Sequence, residues 1–150
     1  MLTTAHTRGI TIVAAVAEGG ASEPSFPASL EPVIAVIASD AQGRAPVPAW
    51  VKDKPLLAAP GVEILTTTPH EAYDFLSGSS LAAPHVTGVV AFLMERKRAL
   101  SPSEVLSLLQ ATARPVPATG SANPSAIGVV DACAALGKLL GMSACPEELN

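Results

Sequence analysis

The sequence is short of aromatics, cysteine and charge, and each shortage narrows what the chain can be. Three Phe, one Tyr and one Trp make up an aromatic content of 3%, so any core must be built from Ala, Val, Leu and Ile. Charged residues are 15% against 49% apolar, the reverse of the balance that keeps a chain disordered. With 9 Lys and Arg, a formal charge of −4 and no basic cluster, no nucleic-acid-binding surface is expected. No apolar run reaches the roughly 20 residues that span a bilayer, so no membrane partner is expected. Met1-Leu2-Thr3-Thr4-Ala5-His6 lacks the basic start and apolar core of a secretory leader, and no signal peptide is expected. Cys133 and Cys145 are the only cysteines; they either close a short disulfide loop or stay as two buried thiols, and both readings stand. No acidic cluster is dense enough to name metal ligands, so no metal or cofactor is expected.

What is present is an alternation of apolar runs and helical patterns. Its 150 residues suit a single domain, with residues 1–140 as the domain and 141–150 as a tail. Residues 2–8 read as the end of a helix stopped by Gly9. Ile10 to Ala17 and Val33 to Ala38 are continuous, partly β-branched apolar runs, the pattern of strands buried on both faces of a parallel sheet. Asp40-Ala41-Gln42-Gly43 closes the second run. Residues 44–54 hold two prolines, Pro46 and Pro48, and read as irregular, with Trp50 a surface anchor. Leu56 to Ala59 and Val62 to Thr67 are further strands, and Pro69-His70-Glu71 is a turn. Ser101-Pro102-Ser103-Glu104 has the serine cap, first-turn proline and glutamate of a capping box. Asp131 to Leu140 is a last helix. The resulting fold class is α/β, a parallel sheet flanked by helices. A mean hydropathy of +0.40 is high for such a domain and implies apolar surface awaiting a cover.

The stretch Ser77-Gly78-Ser79-Ser80-Leu81-Ala82-Ala83-Pro84-His85-Val86-Thr87-Gly88 carries the chemistry. Gly78 permits a tight turn, and Pro84 suits a first helical turn. They place Ser80 at or just before a helix N-terminus, where unpaired N–H groups and the helix dipole stabilise negative charge. A serine there serves as an ordinary N-cap, or as a nucleophile beside a ready-made oxyanion site. A nucleophile elbow of the α/β-hydrolase kind fits only with Ala82 replacing the last glycine, and no histidine follows His85 to complete it. His85 lies on the same helix and is poorly placed to act as the base of Ser80. His6 reads as a surface or cap residue and His70 as a loop residue.

The full string resembles the serine motif of subtilisin-like peptidases, G-[TS]-S-x-A-[AS]-P-H-V-x-G, at every fixed position. Ile12-Val13-Ala14-Ala15-Val16-Ala17-Glu18-Gly19-Gly20 is similar to that family's V-x-A-A-A-G-N-x-G strand and loop. Phe26-Pro27-Ala28 with Val33-Ile34-Ala35-Val36, Ala58-Ala59-Pro60-Gly61-Val62, and Gly128-Val129-Val130-Asp131-Ala132 resemble further segments of it. The resemblance runs from about residue 9 to about residue 136 and implies a partial subtilisin-like domain, the C-terminal half. It implies Ser80 as nucleophile, with Ala15, Val16 and Ala17 along one wall of the substrate pocket and a polypeptide as substrate. His85 is structural in the family, whose members are usually secreted or periplasmic.

Two departures qualify what the resemblance implies. The D-[ST]-G and H-G-T-x-V-A motifs that supply the family's aspartate and histidine do not occur in this sequence. Glu18 occupies the position of the oxyanion asparagine, and an ionised carboxylate has no proton to donate there. The chain is therefore expected to be inactive alone, as part of a serine endopeptidase or as a non-catalytic relative that binds peptides or serves in assembly. Its first strand, lacking neighbours, is expected to be an exposed edge covered by the missing N-terminal half or by a second copy.

Overall fold

The computed structural model describes residues 1–17, 25–46, 54, 56–117 and 127–142. Glu18, Trp50 and Cys145 lie outside the described residues. The chain runs α1 (Leu2–Thr7), β1 (Ile12–Ala15), β2 (Val33–Ser39), β3 (Leu56–Pro60), β4 (Ile64–Thr68), β5 (Ala72–Leu76), α2 (Ser79–Arg96), α3 (Pro102–Thr112), β6 (Arg114–Pro115), β7 (Ile127–Val129) and α4 (Ala132–Leu140). The main sheet has the order β1-β2-β3-β7-β6. Its first four strands are parallel and β6 is antiparallel to β7. This is the mixed α/β architecture that the alternating pattern predicts.

All seven residues of β2 are buried, because it lies inside the sheet with apolar matter on both faces. The strand period of two divides its side chains. Val33, Ala35 and Ile37 join a cluster with Ala28, Ala45, Leu56, Ala58, Val116, Ile127 and Val129. Ile34, Val36 and Ala38 face the other way, onto Ala82, Val86, Val90 and Leu93 of α2 and Val105 and Leu109 of α3. The many alanines at this contact let helix and sheet approach closely, which compensates for the scarcity of aromatics.

β1 departs from expectation. Only Ile12–Ala15 forms the strand, and of these only Ala14 is buried; Ile10 is 54% exposed. As the outermost strand it has β2 on one side alone, and cover is lost at its start, whereas past its end Val16 is buried and its N–H still donates to the Val36 carbonyl of β2. The expectation of an open edge at this strand agrees with that position, among the described residues.

The helix ends follow their sequence signals. Ser101 and Glu104 form the reciprocal capping box of α3, with the Glu104 N–H donating to Ser101 Oγ and Glu104 Oε2 accepting from the Ser101 N–H. The Asp131 carboxylate accepts from the Ala134 N–H at 2.8 Å and caps α4. Cys133 is disulfide-bonded. Apolar surface also remains open, as the high hydropathy implies: Phe26, Tyr73, Phe75 and Leu65 are each more than half exposed.

Candidate active site

The site is assembled where the C-terminal end of β2, the bend after β3 and the start of α2 meet. Gly61 is the joint. Its N–H donates to the Ser39 carbonyl at 3.0 Å, and its own carbonyl accepts from the Gly78 N–H at 2.7 Å. A Cβ at Gly61 would stand 2.7 Å from Ala38 Cβ and 2.9 Å from the Gly78 carbonyl oxygen, so only glycine fits. Gly78 has φ +155°, a conformation that residues with a Cβ rarely adopt.

Ser79 is 4% exposed, and its hydroxyl accepts from the Ala38 N–H at 3.2 Å. This bond ties the first turn of α2 to the end of β2. On the hairpin side, Ser77 Oγ accepts from the Glu63 N–H at 2.9 Å. β4 and β5 form that hairpin, with Leu65 opposite Phe75 and Thr67 opposite Tyr73. His70 and Glu71 sit at its turn with positive φ, so His70 is the loop residue expected.

α2 starts earlier than the sequence implies. Pro84 lies in its second turn, inside the helix rather than in the first turn. The Gly78 bend and the Ser79 anchor set the start, and they override the preference of proline for a first turn. The lost N–H of Pro84 removes the donor that the Ser80 carbonyl would otherwise use.

Ser80 follows the buried Ser79 and is exposed. It borders a cleft of about 420 Å³ lined by Ala15, Val16, Ala17, Ser25, Leu76, Ser77, Gly78, Ser79, Ser80 and Leu81. The structure thus brings Ser80 together with Ala15, Val16 and Ala17. The opposite wall is held by the Val16 N–H donating to the Val36 carbonyl at 2.8 Å and the Ala17 N–H donating to Ser25 Oγ at 3.3 Å. Ser25 is a lining residue that sequence reasoning missed; only its place before the Phe26-Pro27-Ala28 segment pointed towards it.

The chemistry available is that of a hydroxyl at a helix start. The first-turn N–H groups of an α-helix lack intrahelical acceptors, and here the Leu81 N–H turns back to the Gly78 carbonyl at 2.9 Å. The helix dipole adds positive potential at that end. None of the described lining residues is ionisable, so the cleft as described holds no base. His85 does not supply one: its Nδ1 pairs with the Leu81 carbonyl at 2.9 Å, one turn back on its own helix. No group of three or more His, Cys, Asp or Glu side chains among the described residues could hold a metal ion.

Comparison with known proteins gives a consistent set of relatives. The sequence profile of the subtilase family matches residues 1–130. Subtilisin DY of Bacillus licheniformis is 35% identical over 113 residues, 73% of this chain and 41% of that protein. Subtilisin BL of Lederbergia lenta is 34% identical over 131 residues, 87% of this chain and 48% of that protein. Among solved structures, the patellamide maturation protease PatA superposes with a TM-score of 0.77 at 26% identity, covering 94% of this chain and 55% of its own. The prenylagaramide maturation protease PagA gives 0.78 at 28% identity, with 94% and 54% covered. The chain thus spans less than half the length of these two subtilisins.

Proposed function

The chain belongs to the subtilase family, and from that premise we propose that it forms the nucleophile-bearing part of a serine endopeptidase domain. The observation that carries this reading is the placement of Ser80, exposed at the head of α2 on the same cleft as Ala15, Val16 and Ala17. In hydrolysis Ser80 Oγ attacks the scissile carbonyl of a polypeptide while a base takes its proton. The Ser80 N–H, at the positive end of the helix, donates to the developing oxyanion. Ala15, Val16 and Ala17 flank the side chain that precedes the scissile bond. The base and its orienting carboxylate come from outside these 150 residues, since the family's histidine and aspartate motifs are absent from them.

A second reading, a non-catalytic relative that holds peptides or serves in assembly, draws on Glu18. A carboxylate at the oxyanion position opposes the charge that hydrolysis develops. Labelling with a fluorophosphonate probe separates the two. The chain alone is expected to stay unlabelled. Joined to a polypeptide that carries the family's aspartate and histidine motifs, it is expected to take one adduct, located by mass spectrometry on Ser80 and lost in Ser80→Ala. Peptide cleavage that persists in Ser80→Ala would overturn the catalytic reading.

The same premise accounts for the open edge of β1. An unpaired parallel edge beside an apolar face recruits another chain, here the remainder of a peptidase domain or a second copy. Light scattering of the isolated chain across micromolar concentrations is expected to show dimers or larger species. A monodisperse monomer would contradict this.

A further inference from the structure

The β4–β5 hairpin stands beside the cleft with one face and one edge open. It forms a sheet of its own, with no third strand among the described residues. Paired residues share a face and successive residues alternate, so Leu65, Thr67, Tyr73 and Phe75 lie together on one side. Leu65, Tyr73 and Phe75 are each more than half exposed. Alternate residues of β4 are half-buried, whereas every residue of β5 is exposed, so β5 is the outer strand. The Phe75 N–H donates to the Asp74 carboxylate at 2.8 Å. It therefore points away from β4, and by the alternation of an antiparallel ladder the main-chain groups of Tyr73 do the same. That edge offers pairing to a further strand.

On the endopeptidase reading above, we propose that this edge and face dock the segment of the polypeptide substrate that follows the scissile bond. Position, size and charge select that occupant. β5 ends at Leu76, and Leu76 and Ser77 line the same cleft as Ala15, Val16 and Ala17. A polypeptide whose preceding side chain rests on the Ala15–Ala17 wall leaves Ser80 over Leu76, at the end of β5. The hairpin is fixed relative to Ser80, since Ser77 Oγ accepts the Glu63 N–H and the Gly61 carbonyl accepts the Gly78 N–H. Two five-residue strands present a face of roughly 150–200 Å² at about 3.4 Å per residue and 4.8 Å between strands. Each side of a stable complex contributes about 800 Å², so the strip suits one extended peptide and not a folded domain or a second copy. No Lys or Arg occurs from Pro55 to Glu95, and Glu63, Glu71 and Asp74 on the hairpin are all exposed. A strand added beside β5 sends alternate side chains to opposite faces. Apolar ones then meet Tyr73 and Phe75, and Lys or Arg lies beside Asp74. The segment recognised is one in which apolar and basic residues alternate.

The test is fluorescence anisotropy of a dye-labelled octapeptide of alternating Leu and Lys, titrated with the chain. Binding is expected, and Tyr73→Ser or Phe75→Ser is expected to weaken it about 3–10-fold, the range of one aromatic contact. Asp74→Lys is expected to weaken the Leu/Lys peptide severalfold and to strengthen a Leu/Glu counterpart, a swap that a merely structural role would not produce. Ser80→Ala is expected to bind as the native chain does. Unchanged affinity in Phe75→Ser, or no swap in Asp74→Lys, would overturn the proposal. In the completed domain, a substrate carrying the alternation after its scissile bond is expected to exceed a shorter one severalfold in kcat/KM. Phe75→Ser is expected to remove only that difference, and equal kcat/KM for the two substrates would overturn docking on this side of the bond. If neither is cleaved while the peptide still binds the hairpin, the endopeptidase reading fails and the docking surface stands.

Discussion

Glu18→Asn is expected to raise kcat of the completed domain by about 10²–10³-fold with little change in KM. That magnitude was measured in subtilisin, a member of this chain's own family, and is not an independent estimate. Its physical basis is simple. At neutral pH a glutamate is ionised and can only accept hydrogen bonds, whereas the side-chain amide of asparagine donates two. The oxyanion exists in the transition state and not in the bound substrate, so the substitution acts on kcat rather than on affinity. The measurement is steady-state hydrolysis of a chromogenic peptide by both forms, with Ser80→Ala as the baseline. An unchanged kcat would show that Glu18 does not face the oxyanion and would remove the main support for a lost activity.

Gly61→Ala is expected to disrupt both stability and site. The new methyl would lie 2.7 Å from Ala38 Cβ, with Ala38 Cα at 3.0 Å and the Gly78 carbonyl oxygen at 2.9 Å. None of these can swing away, because two belong to the backbone and the third is a methyl fixed to it. Overpacking of this kind costs about 1–3 kcal/mol. The forced shift also passes directly into the Gly78 turn and so into Ser80, where a displacement near 1 Å can lower reactivity about 10²-fold. Urea unfolding of the chain and the labelling rate at Ser80 in the completed domain measure the two effects. Gly88→Ala is the control on the same helix, since its Cβ would meet nothing within 4 Å. It is expected to stabilise the isolated chain by up to about 1 kcal/mol through helix propensity. Equal behaviour of the two variants would show that the joint at Gly61 does not constrain the site.

Much of this molecule was legible beforehand, for reasons that differ by element. β2 was readable because a strand buried on both faces must be apolar at every position. α3 was readable because its capping box is satisfied by residues three apart in the chain. The start of α2 was misread because the proline preference is a local tendency. The bonds that overrode it join Ser79 to Ala38 and Gly78 to Gly61 across long stretches of chain. The length of β1 was overstated for a related reason: an apolar run gives no indication that one flank of a strand is open.

By itself the sequence determined the fold class, the family and the candidacy of Ser80, because each rests on residue types in a fixed local order. Only the tertiary structure decided which groups meet. It put Ser25 on the cleft beside Ala17, made Gly61 the joint between β2 and the serine turn, and set the Lys54 ammonium on the carbonyls of Ala28 and Leu30. The Gly61 and Lys54 contacts join segments 17 to 26 residues apart. Such contacts depend on where strands and turns stop in space, which residue order along the chain does not specify.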